Sequence, residues 1–154
     1  MGEAYFYHLT RRGVDEVLPP LLERSLAQGW RVAVRGTDPA RLDALDERLW
    51  LAPKDGFLPH GRAGGPHDAR QPVLLTTEAA AANAPDCVVG LDGAAVGAEE
   101  VARLARTMIL FDGLDGAALA RARAQWIEIT AAGAPARYWS EESGKWEEKA
   151  TKNV

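Results

Sequence analysis

The chain predicts an α/β domain with a largely parallel sheet and helices on both of its faces. Three observations carry that prediction. Short apolar, β-prone runs alternate with helix-spaced patterns along the 154 residues. PVLLTT (72–77) and DCVVGLD (86–92) read as strands buried on both sides, as parallel strands are. No internal repeat or change of composition marks a domain boundary. One domain is therefore expected over residues 1–150, with a short polar tail at 151–154.

Each element has a local cause. AYFYHL (4–9) is aromatic and apolar and reads as the first strand. VDEVLPPLLERSLAQG (14–29) places leucines at 18, 21, 22 and 26 near helical spacing and stops at Gly29. Pro19 and Pro20 predict a kinked or restarted first turn, because each lacks the N–H that a helix interior uses. WRVAVRG (30–36) is a second strand. TDPARLDALDERLW (37–50) begins at an N-cap, Thr37 or Asp38, and carries the stripe Leu42, Leu45, Leu49. Residues 51–71 are rich in Gly, Pro and His without periodicity, which marks a candidate functional loop. TEAAAANAP, ahead of the strand at 86–92, is a short helix or a loop. AEEVARLARTM (98–108) reads as an amphipathic helix and MILFDG (108–113) as a strand. Asp115 caps a helix at 116–133 that ends at Gly133, and ARYWS (136–140) is a last short strand. The remainder, EESGKWEEKATKNV, is polar apart from Trp146.

Composition excludes several functional classes. A net charge of −4 is no coat for nucleic acid. The single Cys87 leaves no intrachain disulfide and no cysteine metal cluster, and with no signal peptide in view a reducing, cytoplasmic setting is expected. No apolar run approaches the roughly 20 residues that span a bilayer, and MGEAYFYHLT is too polar for a signal peptide.

Catalytic patterns are equally scarce. GLDGAAVG (90–97) follows a strand and precedes a helix, as a nucleotide-binding turn does. Its spacing, Gly90-x2-Gly93-x3-Gly97, matches neither GxGxxG nor a P-loop, and no phosphate-binding Lys is present. The turn leaves open a nucleotide- or metabolite-binding protein as the alternative reading. His60, His67 and Asp68 are too few for a zinc site and read as turn or surface residues. His8 reads as a satisfied or edge histidine. No GxSxG occurs. Ser25 falls in a helix pattern, Ser140 at a strand end and Cys87 in an apolar run, so no activated nucleophile is expected. Carboxylate pairs such as Asp43/Glu47 and Glu99/Glu100 lie in helical patterns and read as solvated.

Aromatic and basic residues remain. Trp50, Phe57, Trp126, Trp139 and Trp146 lie in or beside loops, the last helix or the tail, and tryptophan is enriched at interfaces. Arg123 and Trp126 are three apart on the last helix, which puts guanidinium and indole on one face. That pair suits a peptide ending in an apolar side chain and a carboxylate. A surface arginine over a core tryptophan would have the same spacing.

Several longer stretches, FYHL (6–9), LLERSLAQGWRVAVR (21–35), LDERLWLAPKDGFLPH (45–60), PVLLTT, NAPDCVVGLDG (83–93) and ARARAQWIEITAAGAPARYWSEESGKWEEKA (120–150), together resemble the chi subunit of bacterial DNA polymerase III. The resemblance implies a Rossmann-like, three-layer α/β/α fold with no nucleotide, metal or other cofactor and no catalytic residue. It implies a psi subunit that tethers the chain to the clamp loader, and the acidic C-terminal tail of single-stranded DNA-binding protein (SSB) as a second partner. It further implies an iron–sulfur helicase as a partner in some bacteria, DNA contact only through SSB, and a replisome-associated, cytoplasmic place. Carried over by position, Trp50 and Phe57 match the psi-facing aromatics. Arg123 and Trp126 match the basic and aromatic positions at the SSB tail, with Arg121 and Arg137 as further candidates. Ile127 stands where the family commonly has Lys, followed by Glu128. A lost charge-assisted contact of that kind weakens binding by about 1.5–3 kcal/mol before screening.

Overall fold

A computed structural model describes residues 2–51 and 58–154. Among them eight strands form one sheet in the order β3-β4-β2-β5-β6-β1-β7-β8. In chain order the strands are β1 (Glu3–Leu9), β2 (Val32–Arg35), β3 (Gly61–Arg62), β4 (Val73–Thr76), β5 (Cys87–Gly90), β6 (Arg106–Asp112), β7 (Ala136–Ser140) and β8 (Glu147–Lys152). The helices are α1 (Val14–Ala27), α2 (Pro39–Leu51), α3 (Ala98–Arg103) and α4 (Gly116–Ala131). Every neighbouring pair is parallel except the β7–β8 hairpin.

The expected three layers are present. β2, β4 and β5 are buried along their whole length. Val32, Val34, Val73, Leu75 and Val89 pack one sheet face onto α1 and α2. On the opposite face Ala4, Phe6, Ala33, Val88 and Ile109 meet Val101 of α3 and Ala122 and Ile129 of α4. The alternation of side chains along a strand produces both cores from the same short runs.

Local expectations fared unevenly. Asp38 is the residue that caps α2, accepting from Ala40 N at 3.1 Å, with Pro39 at the first helical position. Asp115 caps α4 through Ala117 N at 3.0 Å, and Gly29 and Gly133 take positive φ just after their helices. α1 runs unbroken through Pro19 and Pro20, contrary to the expected kink or restart. Burial of Val17, Leu18, Pro19, Leu21 and Leu22 on one side holds the helix despite the missing donors. α3 stops at Arg103 rather than 108, because Arg106 and Thr107 already pair with Cys87 and Val88 in the sheet. TEAAAANAP forms no helix. Buried Asn83 donates there to the carbonyls of Val32 and Gln71 and pins the segment as a loop. The polar C-terminal stretch contains β8, which pairs Thr151 with Arg137 and Lys152 with Ala136.

β1 and β6 are neighbours whose outgoing connections part. β1 leads to α1 on one face and β6 leads to α4 on the other. The carboxyl ends of β1, β5 and β6 therefore border a cleft of about 520 Å³. This is where open α/β sheets place their ligands.

Candidate binding site on the α4 flank

Helix α4 carries Arg123 and Trp126 one turn apart. Trp126 is half-buried and rests edge-on against Phe6, at 5.3 Å between ring centroids, and Tyr138, at 5.9 Å. Tyr138 shares a hydrogen bond with His8, Oη to Nδ1, at 3.0 Å. The His8 ring stacks on Phe111 at 5.3 Å. Strands β1, β6 and β7 thus supply an aromatic floor under one flank of α4. Burial pushes the Tyr138 phenol up, and the nearby Arg123 charge opposes that shift. Arg123 itself is exposed, and among the described residues no carboxylate or carbonyl engages it.

Trp126 packs on the core as a tryptophan beneath a surface arginine would. Its ring is half-buried, and the exposed Arg123 stands three residues earlier on the same helix. Such a site offers an apolar platform and a cation to an anionic peptide end. Ile127 is 66% exposed next to it, and Glu128 is also exposed.

The other candidate arginines are placed apart from this pair. Arg121 lies against Gly93 at the cleft, where a Cβ would come within 2.6 Å of its Nε. Arg137 bridges Glu3, at 3.2 Å, and Glu148, at 2.9 Å, which raises its pKa further. Sequence reasoning missed Tyr138 and Phe111 as parts of the floor. The strand alternation that puts Phe6 and His8 on one face was legible, but not which strands would flank β1.

The second aromatic group lies at the end of α2. Trp50 is 51% exposed, with its ring 4.4 Å from that of His60. Phe57 lies outside the described residues. His60 is buried, not a surface histidine. Its Nδ1 meets Leu58 O at 2.7 Å and its Nε2 meets Asp46 O and Oδ1 at 3.1 and 3.0 Å, so it staples the returning chain to α2. Asp68 accepts from the amides of Gly64 and Gly65, and His67 is exposed. Trp139 and Trp146 pack against the core on the α1 side, Trp146 edge-on to Tyr7 at 5.3 Å.

The remaining chemical candidates are engaged in structure. Burial pushes the Cys87 thiol up to about 12, so it carries no thiolate near neutrality. Ser25 donates to Leu21 O, one turn back in α1. Among the described residues no group of three or more His, Cys, Asp or Glu is placed to hold a metal. Nor is any described helix long and apolar enough to cross a membrane. The 90–97 turn is tied down by Arg35, Thr37 and Gln125, which donate to the carbonyls of Ala95, Asp92 and Ala94.

Residues 1–137 match the family model described as DNA polymerase III chi subunit, HolC. A protein of Rickettsia prowazekii (strain Madrid E), described as a probable DNA polymerase III subunit chi, is 26% identical over 78 residues. The match covers 51% of this chain and 47% of that relative, so about half of each is aligned. With the family match running through every element from β1 to the start of β7, the chain belongs to the DNA polymerase III chi subunit family.

Proposed function

We propose that this protein is a non-catalytic accessory subunit of the DNA polymerase III holoenzyme. In this reading it links the clamp loader, through psi, to the acidic C-terminal tail of SSB during replication. The observation that carries the reading is the Arg123–Trp126 pair, a cation without an internal partner among the described residues, on the same helix as an aromatic platform. An acidic tail ending in a phenylalanine carboxylate needs those two features. Trp50 and Phe57 are proposed as the psi-facing surface, with Trp50 half-exposed at the end of α2. An iron–sulfur helicase is a further proposed partner of the chain. The test is affinity purification of the tagged protein from its own cells. Clamp-loader subunits and SSB in the eluate support the reading, and their absence under low-salt washing counts against it.

A nucleotide- or metabolite-binding role for the Gly90–Gly97 turn has one observation in its favour: Gly90, Asp92, Gly93 and Ala94 line the cleft. Against it, the carbonyls of that turn are held by the protein's own side chains. Thermal unfolding with ATP and NAD separates the readings, since a ligand bound only by the folded state raises its stability.

A further inference from the structure

The turn between β1 and α1 occupies the position at which a doubly wound fold holds a ligand's phosphate. Here three consecutive amides converge on one oxygen. Thr10, Arg11 and Arg12 donate to Glu141 Oε1 at 3.3, 3.1 and 2.9 Å. The Arg12 guanidinium takes the other oxygen, Oε2, at 3.2 Å. α1 begins immediately afterwards, and its N-cap, Gly13, is extended and contributes no side-chain cap. The helix therefore adds its positive end to the same turn. Successive amides aimed at one point form an anion-binding concavity.

The anion seated in it comes from far along the chain. Glu141 follows β7, and its side chain is only 4% exposed. A buried carboxylate is costly unless several donors receive it, and here every donor belongs to the first βα turn or to Arg12. Arg11 secures the same loop by donating to Glu142 O at 3.1 and 3.3 Å. Thr10 to Gly13 also line the 520 Å³ cleft, so the cradle and the cleft share a wall.

We propose that Thr10–Gly13 is an oxyanion site of the kind that holds a phosphate group, closed in this protein by its own Glu141. The carboxylate takes the phosphate's place, and the site has become a latch between the two ends of the fold. The latch fixes the end of β7, the strand that presents Tyr138 to Trp126. The proposal does not depend on which partners the α4 flank binds.

The test is chemical rescue. Glu141→Gly removes the internal anion and leaves space. Its thermal unfolding is followed in rising inorganic phosphate against chloride at matched ionic strength. The variant is expected to melt below the parent in chloride and to recover with phosphate in a saturable manner, while the parent does not respond. Glu141→Gln keeps the volume without the charge, so it is expected to be destabilised and not rescued. If the glycine variant does not fold in chloride, its refolding yield across the same phosphate series gives the same readout. The proposal is overturned if phosphate and chloride act alike on Glu141→Gly, or if parent, Gln and Gly forms all gain equally from phosphate.

Discussion

Arg35 and Arg123 are the same side chain in opposite circumstances. Arg35 ends β2 and is 4% exposed. Its two terminal nitrogens reach Glu100 at 2.8 and 2.6 Å and also donate to the carbonyls of Ala95 and Ala79. Arg123 stands in solvent on α4 with no such partner among the described residues. At the carboxyl ends of the strands, positive charge is met from within: Arg12 by Glu141, Arg41 by Asp15 and Asp92, Arg35 by Glu100. On the α4 flank, Arg123 is not met in this way among the described residues. A cation with internal partners fixes the fold, whereas one without them is available to an anion on another molecule.

The comparison can be broken from its rigid side first. Arg35→Met should cost about 3–5 kcal/mol, since it strands Glu100 and two loop carbonyls. The urea midpoint reads this, and binding per folded molecule should not change. A loss within about 0.5 kcal/mol would place Arg35 with ordinary surface residues.

Acid should find the same region. The Arg35 hydrogen bonds hold the Glu100 carboxyl below the usual carboxylate range. Burial pushes Glu141 up, but the Arg12 and Arg11 amides and the Arg12 guanidinium outweigh it and lower its carboxyl as well. A lowered folded pKa means stability that is complete above the unfolded value, about 4.3. That stability is lost as pH falls through the lower folded values. The urea midpoint should therefore start to drop as pH falls through about 4 and keep dropping through the lower folded values, and Arg35→Met should show a shallower drop.

On the open side the expected effects are smaller. Ile127→Lys places a cation beside Trp126 and should tighten an acidic, Phe-terminated peptide by up to about 1.5 kcal/mol, less as salt rises. Titrating the peptide at two salt concentrations checks this. Tyr138→Phe removes only the bond to His8 and should cost about 1 kcal/mol of stability. Trp50→Ala should cost less still, within about 1 kcal/mol, because half of that ring is already exposed. If Trp50 forms the proposed psi-facing surface, the same change should abolish capture of that partner. If Trp50→Ala unfolds the protein instead, that ring belongs to the core.

Much of the fold was legible because the parallel strands announce themselves. β2, β4 and β5 are short apolar runs that no amphipathic helix would contain. β8 was not legible. EEKATK is almost wholly exposed, and only its pairing with β7 makes it a strand. α3 was overextended because Ala, Arg and Leu at 102–105 continue a helical pattern that β-sheet pairing interrupts. Of the candidate site on the α4 flank, spacing alone placed Arg123 with Trp126. The floor of Phe6, Phe111 and Tyr138 could not be read, since three strands distant in sequence supply it. The Glu141 latch was equally hidden, joining residues about 130 positions apart. Long-range polar contacts leave no periodic trace in a sequence.

Arg123 is proposed to receive an acidic peptide. Fluorescence polarisation with a labelled acidic, Phe-terminated peptide at low salt measures it directly, comparing the parent with Arg123→Ala. Saturable binding by the parent that weakens with salt is expected. The variant should lose roughly tenfold or more, the loss of one charge-assisted contact, at unchanged thermal stability. No saturable binding by the parent, or equal binding by both proteins, would contradict it.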